Sequence, residues 1–119
     1  MNEKLFPSEL HVMNVVWEQG SVSAKRIADV LSETIGWSKT TTYTVIKKCI
    51  EKGAITRTEP GFICTAAISK KEIRQKETVD LIDRLFGGKT DRLIASILEY
   101  GTLSPEEIRE LRRMINEMK

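Results

Sequence analysis

Cysteine, histidine and aromatic side chains are scarce in this chain of 119 residues, which holds two cysteines, one histidine and 6% Phe, Trp and Tyr together. Cys49 and Cys64 are too few for a disulfide framework and show no metal-ligand spacing. His11 paired with either thiol would lack the Gly-rich or oxyanion-forming loop that nucleophilic catalysis needs. The sequence therefore assigns no catalytic residue, no metal ligand and no cofactor, and predicts a protein that is not an enzyme. No apolar run approaches the roughly 18 residues that span a bilayer, and no signal-peptide core follows Met1, so the expectation is a cytoplasmic chain without membrane insertion. Wholesale disorder is excluded by a composition of 40% hydrophobic and 30% charged residues.

What the chain does have is an uneven placement of charge. Residues 73–119 carry nine basic and nine acidic side chains, an even balance. Residues 38–58 carry Lys39, Lys47, Lys48, Lys52 and Arg57 against Glu51 alone. Cations gathered in one segment suit a nucleic-acid surface, although a solvated basic helix face has the same composition.

Helical periodicity places Leu10, Met13, Val16 and Trp17 on a first helix capped by Ser8 and closed by Gly20. Ser23 opens a second helix with Ala24, Ile27, Ala28 and Leu31 on its apolar face, ending near Gly36. Ser38 caps a third, which closes at Lys52-Gly53. From Ala54 the pattern changes: "AITRTE" and "FICTAAI" read as two short strands joined at Pro60-Gly61. Three helices and a hairpin outline a winged helix-turn-helix over residues 1–69. The fold class is mainly α with a small β-hairpin wing.

Residues 70–119 read as a three-helix dimerisation region. Ile82, Leu85 and Phe86 lie on its first helix, Leu93, Ile94, Ile97 and Leu98 on its second, and Ile108, Leu111 and Ile115 on its third. The third helix begins at Ser104-Pro105-Glu106-Glu107, a capping box with proline at the first helical position, to which the clustered acids belong. Three short helices cannot bury these stripes alone, and a homodimer would cover them; folding back on the winged helix is the alternative.

The third helix concentrates the candidate chemistry. At about 100° per residue, Thr42, Val45, Ile46, Cys49 and Ile50 face the core, Thr40, Thr44 and Lys47 face away, and Thr41 and Lys48 lie on a flank. Threonines near such a helix's N-terminus reach base edges in the major groove, so Thr40, Thr41 and Thr44 are the candidate base contacts. Ser38, Lys47 and Lys48 are candidate phosphate contacts, Lys39 belongs to the same surface, and Arg57 with the wing turn would touch flanking backbone or minor groove. Trp17 and Trp37 read as packing anchors, and His11 as a partly exposed helix residue. A protein-interaction module on the same scaffold, or a thiol-based redox sensor using Cys64 in the wing, are the competing classes.

"WSKTTTYTVIKKCIEKGAI" resembles the recognition helix of the penicillinase-repressor (BlaI/MecI/CopY) family of bacterial transcription regulators, with Trp37, Ser38, Thr41, Thr44, Lys47, Lys48, Lys52 and Gly53 matching. "SELHVMNVVWEQGSVSAKRIADVL" is similar to that family's first two helices, and "GFICTAAISKKE" to its second wing strand and the start of its dimerisation helix. The resemblance implies a homodimeric repressor on double-stranded operator DNA with two-fold symmetry, controlling resistance or stress genes. It also implies release by a membrane sensor protease or by metal. Here the chain departs from the family: where antibiotic-responsive members are cut between Asn and Phe it reads Ser96-Ile97, and its tail lacks the Cys-x-Cys pair of copper-responsive members. Lys39 and Thr42 stand where a proline and an aliphatic residue are frequent.

Overall fold

The computed structural model describes residues 4–118. Among these residues six helices and three short strands follow one another in the order α1 (Pro7–Gln19), β1 (Val22–Ser23), α2 (Ala24–Ile35), α3 (Lys39–Glu51), β2 (Ile55–Thr58), β3 (Ile63–Ala66), α4 (Lys70–Phe86), α5 (Thr90–Tyr100) and α6 (Pro105–Glu117). The chain forms two compact units, residues 1–74 and 75–119.

In the first unit α1 starts two residues earlier than a Ser8 cap suggests. Pro7 takes the first helical position, where a missing N–H costs nothing, and Phe6 occupies the cap. Phe6 has no side-chain acceptor, so the cap is made in reverse: its backbone N–H donates to Glu9 Oε1 at 2.7 Å. Ser23 and Ser38 cap α2 and α3 as their positions imply, accepting from the N–H groups of Arg26 and Thr41 respectively. Gly36, in the left-handed conformation at φ 73°, ends α2 and turns the chain towards α3 within three residues.

The sheet has three strands, not two, in the order β1-β3-β2. β1 is only Val22 and Ser23, paired antiparallel with Cys64 and Ile63. Two residues are too few to show a period-two pattern, and Ser23 does double duty as the cap of α2. Ile55, Thr56, Arg57 and Thr58 of β2 pair with Ala66, Thr65, Cys64 and Ile63 of β3, so both wing strands are shorter than the apolar runs that announce them. Phe62, which opens the stretch read as the second strand, instead lies in the turn at φ 50°, ahead of β3.

The core gathers Val12, Met13 and Val16 of α1, Ile27 and Leu31 of α2, Val45, Ile46 and Cys49 of α3, Ile55 of β2 and Cys64 of β3. Each large aliphatic side chain removed from water here contributes roughly 1.5–3 kcal/mol. The predicted inward face of α3 is confirmed down to Thr42, which is fully buried and donates its hydroxyl to Ser38 O at 3.3 Å. Trp17 ties α1 to the chain beyond the wing, its indole N–H donating to Ile68 O at 2.9 Å. Trp37 packs half-buried against the core and meets His11 edge to face. Ile73, in the first turn of α4, belongs to the same core.

The second unit is different in kind. Neither α5 nor α6 contains a buried residue. Ser104 and Glu107 form the full reciprocal capping box at the start of α6, as the sequence indicates. Along α6, Arg113 bridges Glu110 and Glu117, and Arg109 pairs with Glu106, leaving charge on one side and apolar residues on the other.

Candidate nucleic-acid interface

The outward face of α3 is an open groove of about 620 Å³, lined by Lys39, Thr40, Tyr43, Thr44 and Lys47. Four of these five are predicted site residues; Tyr43 is the addition, half-buried with its ring edge-on to Phe62 at 5.8 Å and with Lys39 Nζ over it at 5.8 Å. Lys48 is exposed on the flank and does not line the groove.

Hydrogen bonding separates the threonines further than face geometry does. Thr44 donates its hydroxyl back to Thr40 O at 3.0 Å, which leaves its methyl as the group offered outward. Thr41 accepts from the Ser38 hydroxyl at 2.9 Å. Ser38 Oγ is therefore engaged twice, accepting from Thr41 N–H at 3.1 Å and donating to Thr41 Oγ1, so an anion at this end would meet backbone N–H groups more readily than the serine hydroxyl. Thr40 alone keeps a hydroxyl with no partner among the described residues.

The cations divide in the same way. Lys47 and Lys48 are exposed and make no ion pair among the described residues. Lys52 is not part of this surface. Its ammonium pairs with the buried Glu9 carboxylate at 2.7 Å, donates to Lys4 O at 2.7 Å and lies 4.1 Å above the Phe6 ring. Arg57, on β2, is stacked 3.5 Å over the ring of Phe62 and bonded to Glu59, so the wing cation already has partners. Glu59 is not among the residues the sequence singles out, because it lies just past β2 in the wing turn and meets Arg57 only through the geometry of that turn.

The thiols offer little redox chemistry. Both cysteines are free and buried. Burial pushes the Cys49 thiol up to about 12, with the Glu9 carboxylate adding to the effect, and burial also raises that of Cys64 against the opposing pull of Arg57. Reactive cysteines require the reverse, a lowered thiol pKa and access to solvent. Among the described residues no group of histidine, cysteine and carboxylate side chains is arranged to hold a metal ion, and no helix is long and apolar enough to cross a membrane.

A short turn between α2 and α3, an exposed threonine-lysine face on the second of them and a β-hairpin behind it define a winged helix-turn-helix, the class of fold that presents such a helix to duplex DNA. The chain belongs to the penicillinase repressor family, whose sequence model matches residues 5–117. It is 31% identical over 114 residues to the penicillinase repressor of Bacillus licheniformis, covering 94% of this chain and 89% of the relative. It is 29% identical over 111 residues to the methicillin resistance regulatory protein MecI of Mammaliicoccus sciuri, covering 92% and 90%. Among solved structures it is similar to the DNA-binding domain of the repressor BlaI, with a TM-score of 0.55 and 30% identity over 60% of this chain and 93% of that one. It is equally similar to monomeric Bacillus licheniformis BlaI in complex with the blaP half-operator, with a TM-score of 0.54 and 30% identity over 60% and 90%.

Proposed function

We propose that this protein acts in the cytoplasm as a homodimeric transcriptional repressor, its two winged helices reading the halves of a two-fold-symmetric operator. The observation that carries the reading is the α3 groove, where Thr40 and Thr44 stand between Lys39 and Lys47 on an exposed helix face. The BlaI relative solved on a half-operator supports it, since a half-site implies a second half and a second winged helix. Half-site centres about one helical turn apart, roughly 10 bp, or a small multiple of it, follow from that symmetry.

In this reading Thr40, Thr41 and Thr44 reach base edges, the start of α3 with Lys47 and Lys48 holds phosphates, and the wing lies along the flanking backbone. Lys47→Ala should weaken binding to every duplex and flatten the dependence of log affinity on log salt by about one unit. An unchanged slope would remove Lys47 from the phosphate contacts. The two groove threonines should differ from each other. Thr44→Val keeps the outward methyl and retains operator affinity, whereas Thr40→Val removes the unpartnered hydroxyl and costs about 1 kcal/mol, roughly fivefold, on the operator alone. Equal losses for the two valine variants in a fluorescence anisotropy titration would contradict the division of roles.

The apolar stripes of residues 75–118 support the homodimer. Leu85, Ile94, Ile97, Leu98, Leu111 and Ile115 are exposed, Phe86, Leu93 and Ile108 half-buried, and Ile82 buried. Six large aliphatic side chains exposed on three short helices form a surface that water disfavours and a second copy would cover. If a sensor protease releases the repressor at Ser96-Ile97, it acts on a bond inside α5, so that helix must unwind locally before cleavage.

A further inference from the structure

Arg57 is the wing's cation, yet its guanidinium is already matched by a carboxylate. Nε donates to Glu59 Oε1 at 2.6 Å, and Nη2 lies 2.5 Å from the same oxygen. The other carboxylate oxygen accepts the Phe62 N–H at 3.0 Å, so Glu59 spans the Pro60-Gly61 turn from one end to the other. Phe62 in turn supports the guanidinium from below and meets Tyr43 of the α3 groove edge-on. The pair is thus linked to the helix face through one aromatic contact. Both side chains remain about half exposed, at 46% and 54%, so the carboxylate stands on the wing surface rather than beneath it.

An exposed pair of this kind adds little to stability. The turn could be held equally well by an uncharged acceptor for the Phe62 N–H. What only a negative charge supplies is cancellation of the arginine. Phosphate contacts by cations set non-specific affinity, and each one neutralised releases about 0.9 counterion. A wing arginine left unmatched would strengthen binding to all DNA alike and dilute the discrimination made by α3.

We propose that Glu59 is a specificity-determining residue, which neutralises Arg57 so that the wing lies beside the DNA backbone without gripping it and non-specific affinity stays low. The inference rests on the reading of this face as a duplex-DNA interface. Glu59 is a positioning and charge-balancing residue, not a base contact.

The test uses the full chain and a mixed-sequence duplex of about 30 bp, with binding followed by anisotropy across a monovalent salt series. Glu59→Gln, which keeps an acceptor for Phe62, should steepen the salt slope by about one unit and tighten binding roughly five- to tenfold at about 0.1 M salt. Arg57→Ala alone should leave the slope unchanged, and Arg57→Ala added to Glu59→Gln should abolish the gain. A Glu59→Gln slope equal to that of the wild type, or an Arg57→Ala variant that by itself loses a full unit of slope, overturns the role of Glu59. The Arg57→Ala arm can still overturn the proposal if Glu59→Gln folds poorly by far-UV circular dichroism, since a full unit of slope lost on removing Arg57 would show that Glu59 does not neutralise it. Wild-type protein with no salt-dependent affinity for the duplex would instead remove the DNA reading, and the proposal with it.

Discussion

Replacing Leu98 and Ile115 by aspartate should convert the protein to a monomer and weaken its hold on a two-half-site operator by 10²–10⁴-fold, while affinity for an isolated half-site stays the same. The magnitude follows from linkage: once one winged helix is seated, the second binds as an intramolecular partner at high effective concentration. Leu98 and Ile115 are 57% and 63% exposed in the single chain, so aspartate at either position removes little that this chain buries by itself. Between two copies the same carboxylates would be desolvated and mutually repelled, a cost of several kcal/mol. Size-exclusion chromatography with light scattering gives the state of assembly, and titration on whole and half operators gives the linkage term. A doubly substituted protein that remains dimeric, or a monomer that keeps full operator affinity, would contradict the proposed arrangement.

The largest effect on folding is expected at Lys52. Its partner Glu9 is 1% exposed, and the ammonium itself only 14%. Glu9 Oε1 accepts from both Lys52 and the Phe6 N–H, while Oε2 is buried without a hydrogen-bond partner among the described residues. Lys52→Met leaves that carboxylate buried with its counter-ion gone and should destabilise the first unit by about 3–5 kcal/mol. The thermal midpoint would fall on the order of 10 °C or more for a unit of this size. Adding Glu9→Gln removes the orphaned charge and should recover most of the loss, because the penalty belongs to the uncompensated ion rather than to the missing contact. Urea denaturation of the four proteins in the cycle measures the coupling. Additive losses would show that the pair is no more than a surface contact. The pairing also bears on function, since Lys52 ends α3 and Glu9 begins α1, so the bond anchors the far end of the helix that carries the groove.

Much of the fold is legible in the chain because its determinants are local. Ser23, Ser38 and Ser104 cap helices in the structure as their spacing from apolar runs implies, and the inward side of α3 follows from a 3.6-residue period. Phe6 is not legible as a cap, because the acceptor comes from Glu9 and the proline that follows sets the boundary. The strand β1 escapes notice for a related reason: two residues become a strand only through pairing with Ile63 and Cys64, some forty positions away. In the candidate interface, composition and periodicity identify Thr40, Thr44, Lys39 and Lys47, while Tyr43 enters because Phe62 of the wing turn supports its ring.

By itself the sequence determined the six helices and the two wing strands, which family the chain belongs to and which helix carries the threonine-lysine face. These follow from caps, periodicity and motifs, each confined to neighbouring residues. The tertiary structure alone decided which cations of that segment are available to a polyanion. Lys47, Lys48, Lys52 and Arg57 are equivalent in a count of charge. Lys52 is turned onto a carboxylate 43 residues away, in a pocket where an unpaired charge would be too costly to bury, and Arg57 is matched across a turn by Glu59. Lys47 and Lys48 stay exposed and without an ion pair because no acidic side chain among the described residues reaches them, which is a property of how the helices pack and not of the charge count of their own stretch of chain.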